Sequence, residues 1–200
     1  NSLGTYDWKK GSYKEISKLS PGGRYDRLMD TKNFYIYFNA GLGRIESISK
    51  SKKTVKVISG KMKAKSDFIL ASGYIYFIDE KARILYRALP DGSKLQKIAE
   101  KAIYVAAYQN KLLCILESGG YFLSLDGKSK QLILNRTFGY FEEYSFINEV
   151  VRSGNRLVID LTASKLDPDN ETLYVLVKEI YSMTPDYKSK VMLPASDTYK

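Results

Sequence analysis

Apolar residues along this chain come in short runs of four to seven, separated by polar turns, and no long stretch keeps a 3.6-residue period. The runs are rich in Tyr, Ile, Val, Leu and Phe, which predicts strands and no helix. One run repeats. Tyr35-Ile36-Tyr37-Phe38 returns as Tyr74-Ile75-Tyr76-Phe77, a spacing of 39 residues, and the same slot holds Leu112-Leu113-Cys114-Ile115 and later Leu157-Val158-Ile159-Asp160. Each is followed by a second run: Arg44 to Ser49, Ile84 to Leu89, Tyr121 to Leu125, and Leu173 to Val177. A tight turn comes next, Ser51-Lys52-Lys53, Pro90-Asp91-Gly92-Ser93 or Asp126-Gly127-Lys128-Ser129. Asp-Gly supplies the positive φ that such turns require. A further run closes each of these units (Thr54 to Ile58, Lys94 to Ile98, Gln131 to Leu134), and another short apolar segment precedes each.

Four strands in about 40 residues is the pattern of a β-propeller blade. One four-stranded meander cannot bury both faces, so neighbouring blades must stack on it. The expected fold is therefore all-β: a β-propeller, or a propeller segment, of four-stranded antiparallel blades. A parallel-strand solenoid would need a shorter repeat, and a sandwich would not repeat its sequence. The expected organisation is one propeller-like domain over 1–200. It has a partial unit at 1–20 and units at about 24–60, 64–100, 101–135 and 136–193. Thr5 to Trp8 and Tyr13 to Ile16 read as the last two strands of an incomplete blade. That incompleteness leads to the expectation of a segment of a larger propeller, or of pairing through open blade edges.

Composition narrows the chemistry. The 200 residues contain no histidine and one cysteine, Cys114. This excludes imidazole-based catalysis, His-ligated metals and internal disulfides. Cys114 sits inside a Leu-Leu-Cys-Ile-Leu run and reads as a buried apolar residue. No apolar run reaches the ~20 residues of a membrane-spanning helix. Net charge is +10, from 32 Lys+Arg against 22 Asp+Glu. Clusters such as Lys50-Ser51-Lys52-Lys53 and Lys61-Met62-Lys63-Ala64-Lys65 stand between strands. They read either as a solvated coat guarding strand edges or as attraction to an anionic surface, such as a cell-wall polymer. Nucleic acid is not expected as a partner, because the 17 tyrosines recur at the blade period and so serve the structure.

The segment Gly73 to Phe77 with Leu85 to Ile98 resembles a bacterial family of uncharacterised β-propellers, themselves described as similar to the propeller of low-density-lipoprotein-receptor-related proteins. The resemblance covers residues 5 to 135 best. It departs from the receptor propellers in lacking their Tyr-Trp-Thr-Asp tetrad; the only tryptophan is Trp8. The resemblance implies an extracellular or cell-surface protein without catalysis, with an unknown protein or glycan ligand and no cofactor.

The fourth unit departs from the repeat twice. It carries an insertion of about 10 residues, Asn135 to Tyr144, and a long connection between its second and third strands, Ala163 to Thr172. Propeller topology assigns both to one face, and long loops on a rigid scaffold are where binding residues concentrate. Phe138, Tyr140, Phe141 and Tyr144, beside Glu142 and Glu143, suit a sugar ring or a peptide. The competing reading is that these aromatics plug the fold. Asp167 and Asp169 of Asp167-Pro168-Asp169-Asn170-Glu171 join the candidate ligand-binding set. They lack the glycine and distant glutamate of a calcium loop. The expected function is a non-catalytic binding or scaffolding module for a glycan, peptide or cell-surface polymer. Its rival is a carbohydrate-active enzyme pairing Glu142 or Glu143 with Asp160 or Asp167.

Overall fold

The computed structural model describes residues 2–7, 9–19, 25–135, 138, 145–154, 156–167, 170–184 and 190–193. All regular structure in them is β. A two-stranded hairpin, β1 (Ser2–Asp7) and β2 (Ser12–Lys18), comes first. Four four-stranded sheets follow, each a meander with its strands in chain order. The first is β3 (Tyr25–Asp30), β4 (Phe34–Asn39), β5 (Arg44–Ser49) and β6 (Val55–Val57). The second is β7 (Ile69–Ala71), β8 (Tyr74–Asp79), β9 (Ile84–Ala88) and β10 (Gln96–Ala99). The third is β11 (Ala102–Tyr108), β12 (Lys111–Leu116), β13 (Gly119–Ser124) and β14 (Lys130–Leu134). The fourth is β15 (Ser145–Ser153), β16 (Arg156–Asp167), β17 (Asn170–Met183) and β18 (Lys190–Leu193). The chain is thus an all-β propeller-type array of blades, as the strand-and-turn pattern predicts.

Two compact units divide the chain: residues 1–112 with 123–129, and residues 113–122 with 130–200. In the first unit, the first and second sheets pack face to face. Ile36, Phe38 and Ile45 of one meet Ile75, Phe77 and Ala88 of the other, with Ile58, Ala64 and Phe68 closing the cluster. All of these except Phe38 are at most 2% exposed, and each buried isoleucine or phenylalanine among them contributes about 1.5–3 kcal/mol by leaving water. The alternation in Lys61-Met62-Lys63-Ala64-Lys65 now has its reason. Met62 and Ala64 turn into this cluster, while Lys61 and Lys63 stay exposed.

The Asp-Gly turns lie against the preceding sheet. Gly92 has φ +81, and a Cβ there would stand 2.8 Å from the Val57 carbonyl oxygen. Gly127 has φ +76, and its Cβ would stand 2.9 Å from the Ile98 carbonyl oxygen. Glycine is required at both, by backbone conformation and by close approach. The Ser47 hydroxyl donates to the Pro90 carbonyl, and Tyr76 and Arg87 both donate to the Leu125 carbonyl at 2.8 Å. These two turns, before the fourth strands of the second and third sheets, are therefore fastened to the sheet behind them.

The YIYF repeat carries a correction. The hairpin turns are equivalent at Asn39 and Asp79, 40 residues apart, whereas the tetrapeptide recurs at 39. Cross-strand pairing confirms the shift: Asn39 opposes Arg44, and Asp79 opposes Ile84. Tyr37 therefore occupies the place of Phe77, and Ile36 that of Tyr76. A one-residue slip sends every side chain to the other face. Both strands are buried on both faces, so the tetrapeptide is accepted in either phase.

Candidate functional site

The fourth sheet stands out by strand length. β16 and β17 run 12 and 14 residues, against 5 or 6 for the matching strands of the first and second sheets. The expected open loop from Ala163 to Thr172 is thus corrected to a continuous β-hairpin. Pairing runs from Leu157↔Met183 through Ala163↔Val177 to Leu166↔Tyr174, and after a register shift Asp167 opposes Asn170. The sequence contains the cause: Thr172-Leu173-Tyr174-Val175-Leu176-Val177 is a run of strand formers.

β15 begins at Ser145, opposite Ala163. Past that level, β16 and β17 continue as a two-stranded arm from Ser164↔Leu176 outward. β15, which follows the aromatic insertion in sequence, therefore begins at the root of this arm. Its first residue, Ser145, lies beside Ala163, which in turn faces Val177. The insertion and the arm are the two departures from the repeat that the sequence singles out.

Of the candidate residues in the insertion, Phe138 is described and is fully buried. Its N–H donates to the Glu117 carbonyl at 2.8 Å, within the second unit. That environment gives the ring a packing role that anchors the start of the insertion. Tyr140, Phe141, Glu142, Glu143 and Tyr144 lie outside the described residues, as does Asp169. Asp167 is the last residue of β16.

Below the arm the sheet is packed and ion-paired. Leu157, Ile159, Leu161 and Met183 line a buried face, and Glu179 sits among them at 4% exposure. The Tyr181 hydroxyl donates to Glu179 Oε2 at 2.8 Å. On the other face, Lys178 Nζ lies 3.0 Å from Asp160 Oδ2. Arg156 donates to the Ser182 hydroxyl (2.6 Å) and to the Ser182 carbonyl (3.1 Å). Asp160, a candidate acid in the enzymatic reading, is thus the anionic half of a cross-strand ion pair. Sequence reasoning did not single out Glu179. Its signal was a lone acid in the apolar run Leu173 to Met183. Among the described residues, no three His, Cys, Asp or Glu side chains come together as a metal site. No described helix is long and apolar enough to cross a membrane. Cys114 is fully buried, and burial pushes its thiol far above the usual range, which leaves it inert in the native state.

The sequence matches no protein-family model and no curated protein. Its fold does match solved structures, β-propellers among them. A chain of the S. cerevisiae complex of Dbp5 bound to Nup159 and Gle1 is similar at TM-score 0.60 and 8% identity, over 92% of this chain and 50% of that one. A chain of the nidogen–laminin complex is similar at TM-score 0.52 and 12% identity, over 94% and 70%. Streptogramin B lyase is similar at TM-score 0.50 and 12% identity, over 92% and 73%. The chain spans about half the length of the Nup159 propellers it matches. At these identities the likeness is one of fold, and it is a likeness to β-propellers.

Proposed function

We propose that this chain is a non-catalytic binding or scaffolding β-propeller module, acting outside the bacterial cytoplasm or at the cell surface. Its recognition element is the fourth-sheet arm together with the aromatic insertion at its root. One observation carries the reading. A blade plan of 5- or 6-residue strands is abandoned at one sheet for strands of 12 and 14, with the insertion's exit paired against the arm's base. Extra β-structure on a repeated scaffold adds nothing to closing a blade; it adds reach and surface. Tyr140, Phe141 and Tyr144, with Glu142, Glu143, Asp167 and Asp169, supply stacking faces and hydrogen-bond acceptors for a peptide or glycan. Propellers of similar fold occur in protein complexes, with Dbp5 bound to Nup159 and nidogen with laminin. The resemblance of Gly73 to Ile98 to bacterial propellers supports a bacterial setting.

The test screens immobilised peptides and surface glycans for binding, then repeats the screen with two variants. One shortens the arm by joining Ser164 to Leu176 through an Asn-Gly turn. The other is Tyr140→Ala with Phe141→Ala. Loss of the captured ligand in both, with Tm unchanged within a few degrees, is the expected result; retained binding in both would discard the assignment. Glu142→Gln with Glu143→Gln separates the enzymatic alternative, because a binding module loses affinity at most, whereas a hydrolase loses turnover.

A further inference from the structure

The first unit holds a groove remote in sequence from the arm. At one end of the first sheet, the β3–β4 and β5–β6 connections enclose an open groove of about 600 Å³. That volume lies within the range of small-molecule sites. The two connections are locked to each other and internally. Lys50 N–H donates to the Asn33 carbonyl (2.9 Å), Ser49 N–H to the Thr54 carbonyl (3.2 Å), and Lys53 N–H to the Ser49 carbonyl (2.8 Å). The second sheet contributes the far wall. Ser47 holds the Pro90 carbonyl and Gly92 rests on Val57, so Asp91 is carried to the rim of the groove.

The charges are arranged unequally. Lys50 is pinned by Asp30 at 2.5 Å and lies over the Tyr35 ring at 4.6 Å. Lys52 and Lys56 also line the groove, exposed, and have no ion-pair partner among the described residues. Ser49, Ser51 and Thr54 line the groove as well, with the Ser49 and Ser51 hydroxyls 3.1 Å apart. Opposite is the single carboxylate, Asp91. Ser93 donates to it from both its hydroxyl (2.7 Å) and its N–H (2.9 Å), and these bonds hold its carboxyl below the usual range.

This set discriminates between ligand classes. A neutral sugar leaves Lys52 and Lys56 unused. A phosphate chain brings only negative charge and meets Asp91. An acidic sugar chain satisfies both walls, with carboxylates for the ammonium groups and hydroxyl donors for Asp91. We propose that this groove binds an acidic, uronate-type oligosaccharide, with carboxylates at Lys52 and Lys56 and ring hydroxyls on Asp91. Lys52, in the sequence one of a lysine cluster that reads only as a coat or an attraction to anions, then has a defined chemical partner.

Calorimetric titration with tetragalacturonate tests this, with maltotetraose and tripolyphosphate as comparison probes and the full chain as protein. Tetragalacturonate should bind, and Lys52→Gln with Lys56→Gln should weaken it about tenfold or more, as losing two charge-assisted contacts implies. Asp91→Asn should weaken tetragalacturonate severalfold while leaving tripolyphosphate unweakened. The arm-shortened variant should bind tetragalacturonate like the parent, which keeps this site distinct from the fourth-sheet reading. Absent binding, binding indifferent to Lys52 and Lys56, equal binding of maltotetraose, or an Asp91→Asn variant that binds both anions more tightly would each overturn the proposal. The last outcome would leave only charge attraction.

Discussion

The first and second sheets of the first unit turn their central hairpins at equivalent positions, Asn39/Arg44 and Asp79/Ile84, but they treat their inner strand pairs differently. In the second sheet, Phe77 opposes Tyr86 and the rings stack at 5.9 Å, facing the apolar cluster. In the first sheet the corresponding pair is Tyr37 opposite Glu46. It lies on the face turned away from that cluster, with Glu46 fully buried. Tyr37 donates to Glu46 Oε2 at 2.7 Å, and Arg44 donates to Oε1 at 2.5 Å. A buried carboxylate survives there because both its oxygens are satisfied and a guanidinium balances its charge. The same tetrapeptide, read one residue out of phase, thus serves an aromatic interface in one sheet and a polar network in the other.

The most severe way to break this contrast is to remove the acid. Glu46→Ala removes, at a fully buried position, the acceptor that the Tyr37 hydroxyl and the Arg44 guanidinium share. A loss of about 3 kcal/mol or more in urea denaturation is expected. Tyr37→Phe with Glu46→Leu, which makes the pair apolar as in the second sheet, should recover a large part of that loss. If it is as damaging as Glu46→Ala, the network does more than satisfy itself.

The second test concerns the turn that fastens one sheet to the next. Gly92→Ala combines a left-handed backbone with a Cβ pressed on the Val57 carbonyl, and should cost about 2 kcal/mol. Gly73→Ala has a similar φ, +79, but nothing within 4 Å. It should cost less, and the difference between the two measures the contact alone.

Tyr76→Phe removes one of the two donors to the Leu125 carbonyl and should cost about 1 kcal/mol near neutral pH. Burial raises the Tyr76 pKa, against the lowering effect of Arg87. In the unfolded chain the phenol ionises near its ordinary value of about 10. Above that pH the unfolded state binds fewer protons than the native one, so stability falls as pH rises towards the higher folded value. A stability–pH curve of the Phe variant should show a shallower alkaline limb than the parent.

The smallest effect belongs to Asp91→Asn. Ser93 depresses the Asp91 pKa, so its contribution is present above the ordinary carboxylate value and fades as pH falls through the lower folded one. The group is exposed, and solvent screening keeps this contribution small. Denaturation midpoints at pH 7 should be nearly unchanged, which makes Asp91→Asn a clean probe of the groove.

Much of this architecture was legible before any coordinates. Strand runs, Asp-Gly turns and a period near 40 residues are local properties, and local properties survive in a sequence. Among the described residues, the strands of the first three sheets fall close to where these signals put them, as does the initial hairpin around Lys9-Lys10-Gly11. The candidate site was legible in outline, as a fourth unit that breaks the repeat. Its form was misread at Ala163 to Thr172, because an acidic Asp-Pro turn drew attention away from the strand formers on either side.

What no inspection of the chain could settle is direction. When a strand is buried on both faces, its residues carry no mark of which face meets which neighbour, so the Tyr-Ile-Tyr-Phe runs looked equivalent while lying one residue out of step. Nothing in the sequence singles out Glu46 or Glu179 as buried; a cross-strand tyrosine in one case and a same-strand tyrosine in the other bind them in the folded sheets. Asp91 reached the lysine groove only because Ser47 and Val57 hold the turn that carries it. Fold class follows from period and turn chemistry, which act over a few residues. Face, burial of charge and the meeting of distant side chains follow from packing, which exists only once the sheets are stacked.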